Sequence, residues 1–97
     1  MWPYKTEIGH GVKVVTTAGT DEALAVSTKA RVVIIQAQTD NTGVIAVGAS
    51  GVDATVATGT GVLLYLGDSV PLEVNDLADV FIDATVSGEG VRFLYWT

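Results

Sequence analysis

The sequence contains no cysteine. Disulfides, thiolate metal sites and cysteine nucleophiles are therefore excluded. A small secreted domain often depends on disulfide staples, because a small core stabilises it weakly. Without them, a chain of 97 residues is expected to lean on a partner or on its own copies. Basic residues are also few. Lys5, Lys13, Lys29, Arg31 and Arg92 stand against 11 acidic residues, for a net charge of -6. Nucleic-acid binding draws most of its affinity from cations that displace counterions at phosphates. Five scattered cations build no such footprint, so neither nucleic acid nor an anionic membrane surface is an expected partner. Histidine occurs once, as His10 between Gly9 and Gly11, which leaves a Ser-His-Asp arrangement or a histidine-rich metal set little to build on. The first residues show no basic segment followed by an apolar run, so no signal peptide is expected. No apolar stretch approaches the ~20 residues that span a bilayer.

What is abundant is the β-branched side chain. Val, Ile and Thr account for 33 residues, and Val, Ile, Leu and Phe for 30. Such side chains pack well on a pleated surface and lose rotamer freedom in a helix. The apolar share is well above that of disordered chains. A helix bundle, a coiled coil and a disordered tail are excluded, and the length allows one domain.

Residues 11–16 read as a first strand, and 23–26 as a short second one. The clearest strand covers 29–38, where Ile35 and Ala37 face one side and Gln36 and Gln38 the other. Residues 39–43 are turn formers, and 44–48 follow at hairpin distance, so these two strands are expected to pair as a hairpin. Residues 49–61 are small and glycine-rich. They read as a long connection crossing between two sheets, with a short edge strand near 54–57. Residues 62–66 form a strand. Residues 69–74 form another, placed at an edge or a bulge by Pro71, which has no backbone donor. Over 78–86 the period is two: Val80, Ile82 and Ala84 share one face, Asp79, Phe81, Asp83 and Thr85 the other. In the final strand, 91–97, Val91, Phe93 and Tyr95 face inward, opposite Arg92, Leu94 and Trp96. The expected fold is all-β: a single-domain antiparallel β-sandwich, jelly-roll-like, of seven to nine short strands over residues 11–97, with residues 1–10 as an extended N-terminal arm.

No constellation here announces chemistry. Asp76, Asp79, Asp83 and Glu89 are oxygen donors of the kind Ca²⁺ takes. Their spacing is not that of an EF-hand, and Asp79 and Asp83 on one strand stand about 13 Å apart. A solvated strand face is the favoured reading. Gly59-Thr60-Gly61 and Gly88-Glu89-Gly90 lack the strand-loop-helix context and lysine of a phosphate loop. No catalytic, cofactor or metal residue is assigned. Aromatics gather at the two ends: Trp2 and Tyr4, then Phe93, Tyr95 and Trp96. Surface aromatics anchor protein interfaces or stack on sugars. Trp2, Tyr4, Ile8 and Trp96 are the expected partner contacts, with core filling an open alternative for both tryptophans.

One resemblance runs through roughly residues 28–97. It is carried by Val33-Ile34-Ile35-Gln36-Ala37, by Asp40-Asn41-Thr42-Gly43 before the strand at 44–48, and by Leu66-Gly67-Asp68-Ser69-Val70. It continues through Leu77-Ala78-Asp79-Val80-Phe81-Ile82-Asp83-Ala84 and Val86-Ser87-Gly88-Glu89-Gly90-Val91. This string of strands and turns resembles small accessory structural proteins of tailed bacteriophages. The resemblance implies a non-enzymatic virion component, such as a capsid decoration protein or a head or tail appendage. It implies contacts with the major capsid protein or another virion protein, and self-association as a homotrimer. It brings no catalytic residue and no cofactor. Assembly of a virion in the reducing host cytoplasm is in keeping with the lack of cysteine. A carbohydrate-binding or host-attachment module, stacking sugars on Trp96, Tyr95 or Trp2, is the alternative.

Overall fold

A computed structural model describes residues 6–97. These residues form eight strands and one 3-10 turn. In chain order the strands are β1 (Ile8–Val14), β2 (Glu22–Ala23), β3 (Val32–Ala37), β4 (Ile45–Gly48), β5 (Val62–Leu64), β6 (Ser69–Glu73), β7 (Phe81–Ala84) and β8 (Gly90–Trp96). The 3-10 turn, Leu77–Asp79, precedes β7 and is capped by Asp76. The expected all-β class holds. The strands make two four-stranded antiparallel sheets, sheet A in the order β1-β8-β3-β6 and sheet B in the order β2-β7-β4-β5.

The pairing is nested. Strand β4 pairs with β5, β3 with β6, β2 with β7 and β1 with β8. The chain is thus one long antiparallel ribbon folded over itself, closed further by the pairs β3–β8 and β4–β7. Every consecutive connection changes sheet except β4 to β5.

Two connections therefore differ from expectation. Residues 39–43 do not close a hairpin, because β3 and β4 lie in different sheets. The donors of this corner are met by side chains from the β7–β8 loop instead of by a cross-strand ladder. Glu89 accepts from the backbone N–H of Thr42 at 2.6 Å and of Gly43 at 2.8 Å, and Thr85 Oγ1 accepts from Val44 N–H at 3.0 Å. Residues 49–61, in turn, join two neighbours of one sheet rather than crossing, and 54–57 form no strand. This long loop folds back over the outer face of sheet B. Its Val52 and Ala54 bury against Ala46, Leu63 and Phe81.

The main core lies between the sheets. It takes Val33, Ile35 and Ala37 from β3, Ile45 and Val47 from β4, Ile82 and Ala84 from β7, and Val91 and Phe93 from β8. The period-two alternation in β3, β7 and β8 is what delivers these side chains to one side. On β1 the inward positions are Gly9, Gly11 and Lys13, and the two glycines are registered opposite Tyr95 and Phe93. The two aromatic rings fill the space that β1 leaves empty. A Cβ on Gly11 would stand 2.6 Å from Phe93 Cζ, and one on Gly9 would run into the Tyr95 ring.

Strand β1 begins at Ile8, three residues ahead of the expected start, so the last part of the expected arm is sheet. Residues 1–5 lie outside the described residues. The prediction for Pro71 holds: β6 is an edge of sheet A. Asp83 departs from expectation. The period places it on a solvated face, yet it is only 1% exposed, because the 49–61 loop covers that face.

Candidate functional site

The two sheets present their outer faces differently. On sheet B, Ala46 and Asp83 are buried under the chain's own loops. The Asp83 carboxylate ties two of those loops down, accepting from Gly19 N–H at 3.0 Å and from Ala54 N–H at 2.9 Å. Sheet A carries no such cover among the described residues. Leu94, on a central strand of that sheet, is 42% exposed.

Register lays out the outer face of sheet A in rows. Ile8, Trp96, Val32 and Glu73 form the first, His10, Leu94, Ile34 and Pro71 the second, and Val12, Arg92, Gln36 and Ser69 the third. Two rows are mostly apolar, and the third is polar but for Val12. Ile8 is 74% exposed and Val12 63%. A shallow open groove crosses the face, lined by His10, Val12, Ile34, Arg92 and Leu94.

Two of the expected partner contacts meet here. Ile8 and Trp96 are directly registered neighbours on adjacent strands, Ile8 exposed and Trp96 half-buried. Trp2 and Tyr4 lie outside the described residues. Tyr95 faces inward beside Phe93, with ring centroids 6.2 Å apart, and packs on the core. Sequence reasoning missed Val12, Leu94 and Ile34 as members of this face. The signal was present: the period of two in Val12 and Val14 of the expected strand 11–16 runs back through His10 and Ile8 of the expected arm.

The acidic residues of interest are occupied with backbone. Asp76 accepts from Ala78 N–H at 2.8 Å, Ser27 Oγ at 2.7 Å and Thr28 N–H at 2.9 Å, and these bonds hold its carboxyl below the usual range. Burial pushes the Glu89 carboxyl up, but the bonds from Thr42 and Gly43 outweigh it and the net direction is down. Glu22 is lowered by the Thr16 N–H and by Lys13, whose Nζ stands 3.0 Å from Glu22 Oε1. Asp53 is lowered by the Thr55 N–H and hydroxyl. Asp79 is exposed. No three His, Asp or Glu side chains among the described residues are placed to hold one ion.

Searches against protein-family models, curated proteins and solved structures found no match to this chain.

Proposed function

We propose that this chain is a non-enzymatic structural protein of a tailed-phage virion, which attaches to the capsid surface through the outer face of sheet A. The single observation that carries this reading is the unequal covering of the two sheets among the described residues: sheet B is covered by the 49–61 loop, while the apolar rows around Ile8, Trp96 and Leu94 carry no such cover. A protein whose role is to adhere needs a rigid apolar face more than a cleft. The string of strands over residues 28–97 that resembles phage accessory proteins adds the class of partner, a major capsid protein or another virion protein.

The same proposal includes the finer fold. We read the two sheets as a jelly-roll sandwich. The nested pairs β4–β5, β3–β6, β2–β7 and β1–β8, and a chain that changes sheet at nearly every connection, support that reading. Eight strands in two four-stranded sheets are what such a fold requires.

The test is co-sedimentation with undecorated capsids. The intact chain is expected to bind at a fixed ratio to the capsid subunit. Leu94→Lys, which puts a charge in the middle of the face, is expected to lose most of that binding while its melting curve stays near that of the parent. Capsids left unbound by the intact chain, or bound equally well by the variant, would overturn the proposal. Binding to host polysaccharide with capsids ignored would favour the attachment module instead.

A further inference from the structure

A β-sheet edge offers unpaired N–H and C=O groups to any strand that approaches, and natural proteins shield such edges with short strands, proline or charge. Three of the four edges here are shielded. Strand β2 is two residues long and β5 is three. Strand β6 carries Pro71, at a position where the N–H would point outward. The bonds Val74 N–H to Arg31 O and Ala37 N–H to Asp68 O fix which positions of β3 and β6 exchange hydrogen bonds, and the Ile34–Pro71 pair is not one of them.

Among the described residues the fourth edge, β1, has none of these protections. It runs for seven residues, Ile8–Val14, without proline. The bonds Thr97 N–H to Glu7 O and Val15 N–H to Glu89 O fix the alternation on its β8 side. Gly9, Gly11 and Lys13 therefore point their backbone groups at β8, and Ile8, His10, Val12 and Val14 point theirs away. Among the described residues nothing pairs with those outward groups. The one formally charged side chain of the strand, Lys13, is drawn to Glu22 of β2 and so does not guard the edge.

We infer that β1 pairs antiparallel with β1 of a second copy, about a two-fold axis at Gly11, joining two copies of sheet A into one continuous sheet. The occupant is a second copy because the strand is self-complementary. With Gly11 opposite Gly11, His10 faces Val12 of the other copy and Ile8 faces its Val14, and these are the pairs that exchange hydrogen bonds. Apolar side chains then meet across the seam on the outer face. On the inner face Lys13 lies opposite Gly9, so no like charges meet. The open rows of the outer face continue across the join, which doubles the apolar surface on one side of the assembly. Isologous two-fold contacts are the commonest form of self-association. The inference is independent of the capsid reading, and it replaces the three-fold count implied by the phage resemblance with a two-fold pair.

The test is light scattering coupled to size exclusion, together with amide hydrogen exchange, on the full chain over a range of concentrations. The expected mass is twice the chain mass of 10.1 kDa. The amides of His10 and Val12 are expected to slow as concentration rises, while those of Gly9 and Gly11, bonded to β8, stay protected throughout. Val12→Pro deletes an outward N–H and is expected to shift the protein to monomer at least tenfold. Leu94→Lys, on β8 and not on the pairing strand, leaves the outward N–H and C=O groups of β1 in place and is expected to keep the pair, so loss of capsid binding and loss of pairing are separable. A monomer at every concentration with fast exchange at His10 and Val12 would overturn the inference, as would a trimer. Should Val12→Pro fail to fold, the exchange pattern of the parent protein decides alone.

Discussion

At the scale of the residue, Asp83 is the side chain on which most of the covering of sheet B depends. It is buried and bonded to two backbone N–H groups from loops distant in sequence. Replacing it with Ala leaves both donors without a partner. A buried donor left without a partner costs about 1–3 kcal/mol, so with two of them the variant is expected to lose on the order of 2 kcal/mol or more in urea unfolding. A loss under about 0.5 kcal/mol, the ordinary effect of a surface change, would show that the loops hold without it. Its burial was not legible in the sequence, because the period of two marks only which face a residue takes. Whether a loop then covers that face is decided by a segment some 30 positions away.

The hydrogen-bonded carboxylates carry a second residue-scale consequence. Glu22, Asp53, Asp76 and Glu89 all have lowered pKa values in the folded chain. In acid the unfolded chain therefore binds more protons than the folded one, so stability rises with pH. The contribution is complete above the ordinary carboxylate range, near pH 4, and is lost as pH falls through the lower folded values. The melting temperature is expected to be flat from neutral pH to about 5 and to fall steeply below about 4. Glu89→Gln, which cannot titrate, is expected to show a shallower fall. A melting temperature that rises on acidification would contradict this account.

At the scale of the element, the pairing of β1 with β8 shows side chains shared unequally between two strands. Glycine weakens a strand when judged by propensity alone. Here Gly9 and Gly11 are required, since the Tyr95 and Phe93 rings occupy the space above them. Gly11→Ala would raise strand propensity and still destabilise, by about 1–3 kcal/mol, through overpacking against Phe93. Pairing the change with Phe93→Leu, which shortens the opposing side chain, is expected to restore part of the loss in a double-mutant cycle. A neutral or stabilising Gly11→Ala would mean that the ring moves aside freely. The sequence was legible where an element carries its own constraint. Pro71 announced an edge, and the alternation of β3 and β8 announced their inward faces. It was not legible at the connections. Residues 39–43 have the composition of a hairpin turn, and only Glu89 and Thr85, far along the chain, turn them into a corner between sheets.

At the scale of the whole molecule, the candidate site was half legible. Ile8 and Trp96 could be singled out as exposed apolar anchors, and the structure sets them side by side. That Val12, Leu94 and Ile34 join them depends on the register of three strands, two of them at opposite ends of the described chain. Nesting also governs folding. Apart from β4 and β5, every strand has its partners far away in sequence, and β1 pairs with residues more than 70 positions on. Loop closure of that length must precede most of the favourable contacts, so refolding is expected on the millisecond-to-second scale typical of all-β topologies. Stopped-flow fluorescence of the tryptophans would measure it, and microsecond refolding would argue against the nested pairing.

Of the strands described, the one made last, β8, is the one that sits between β1 and β3. Sheet A therefore stays unfinished until that strand is made. Without residues 90–96, β1 lacks its one partner among the described residues and β3 lacks one of its two. A chain truncated before residue 90 should be sensitive to protease and attractive to chaperones, and should lose both properties when residues 90–96 are restored.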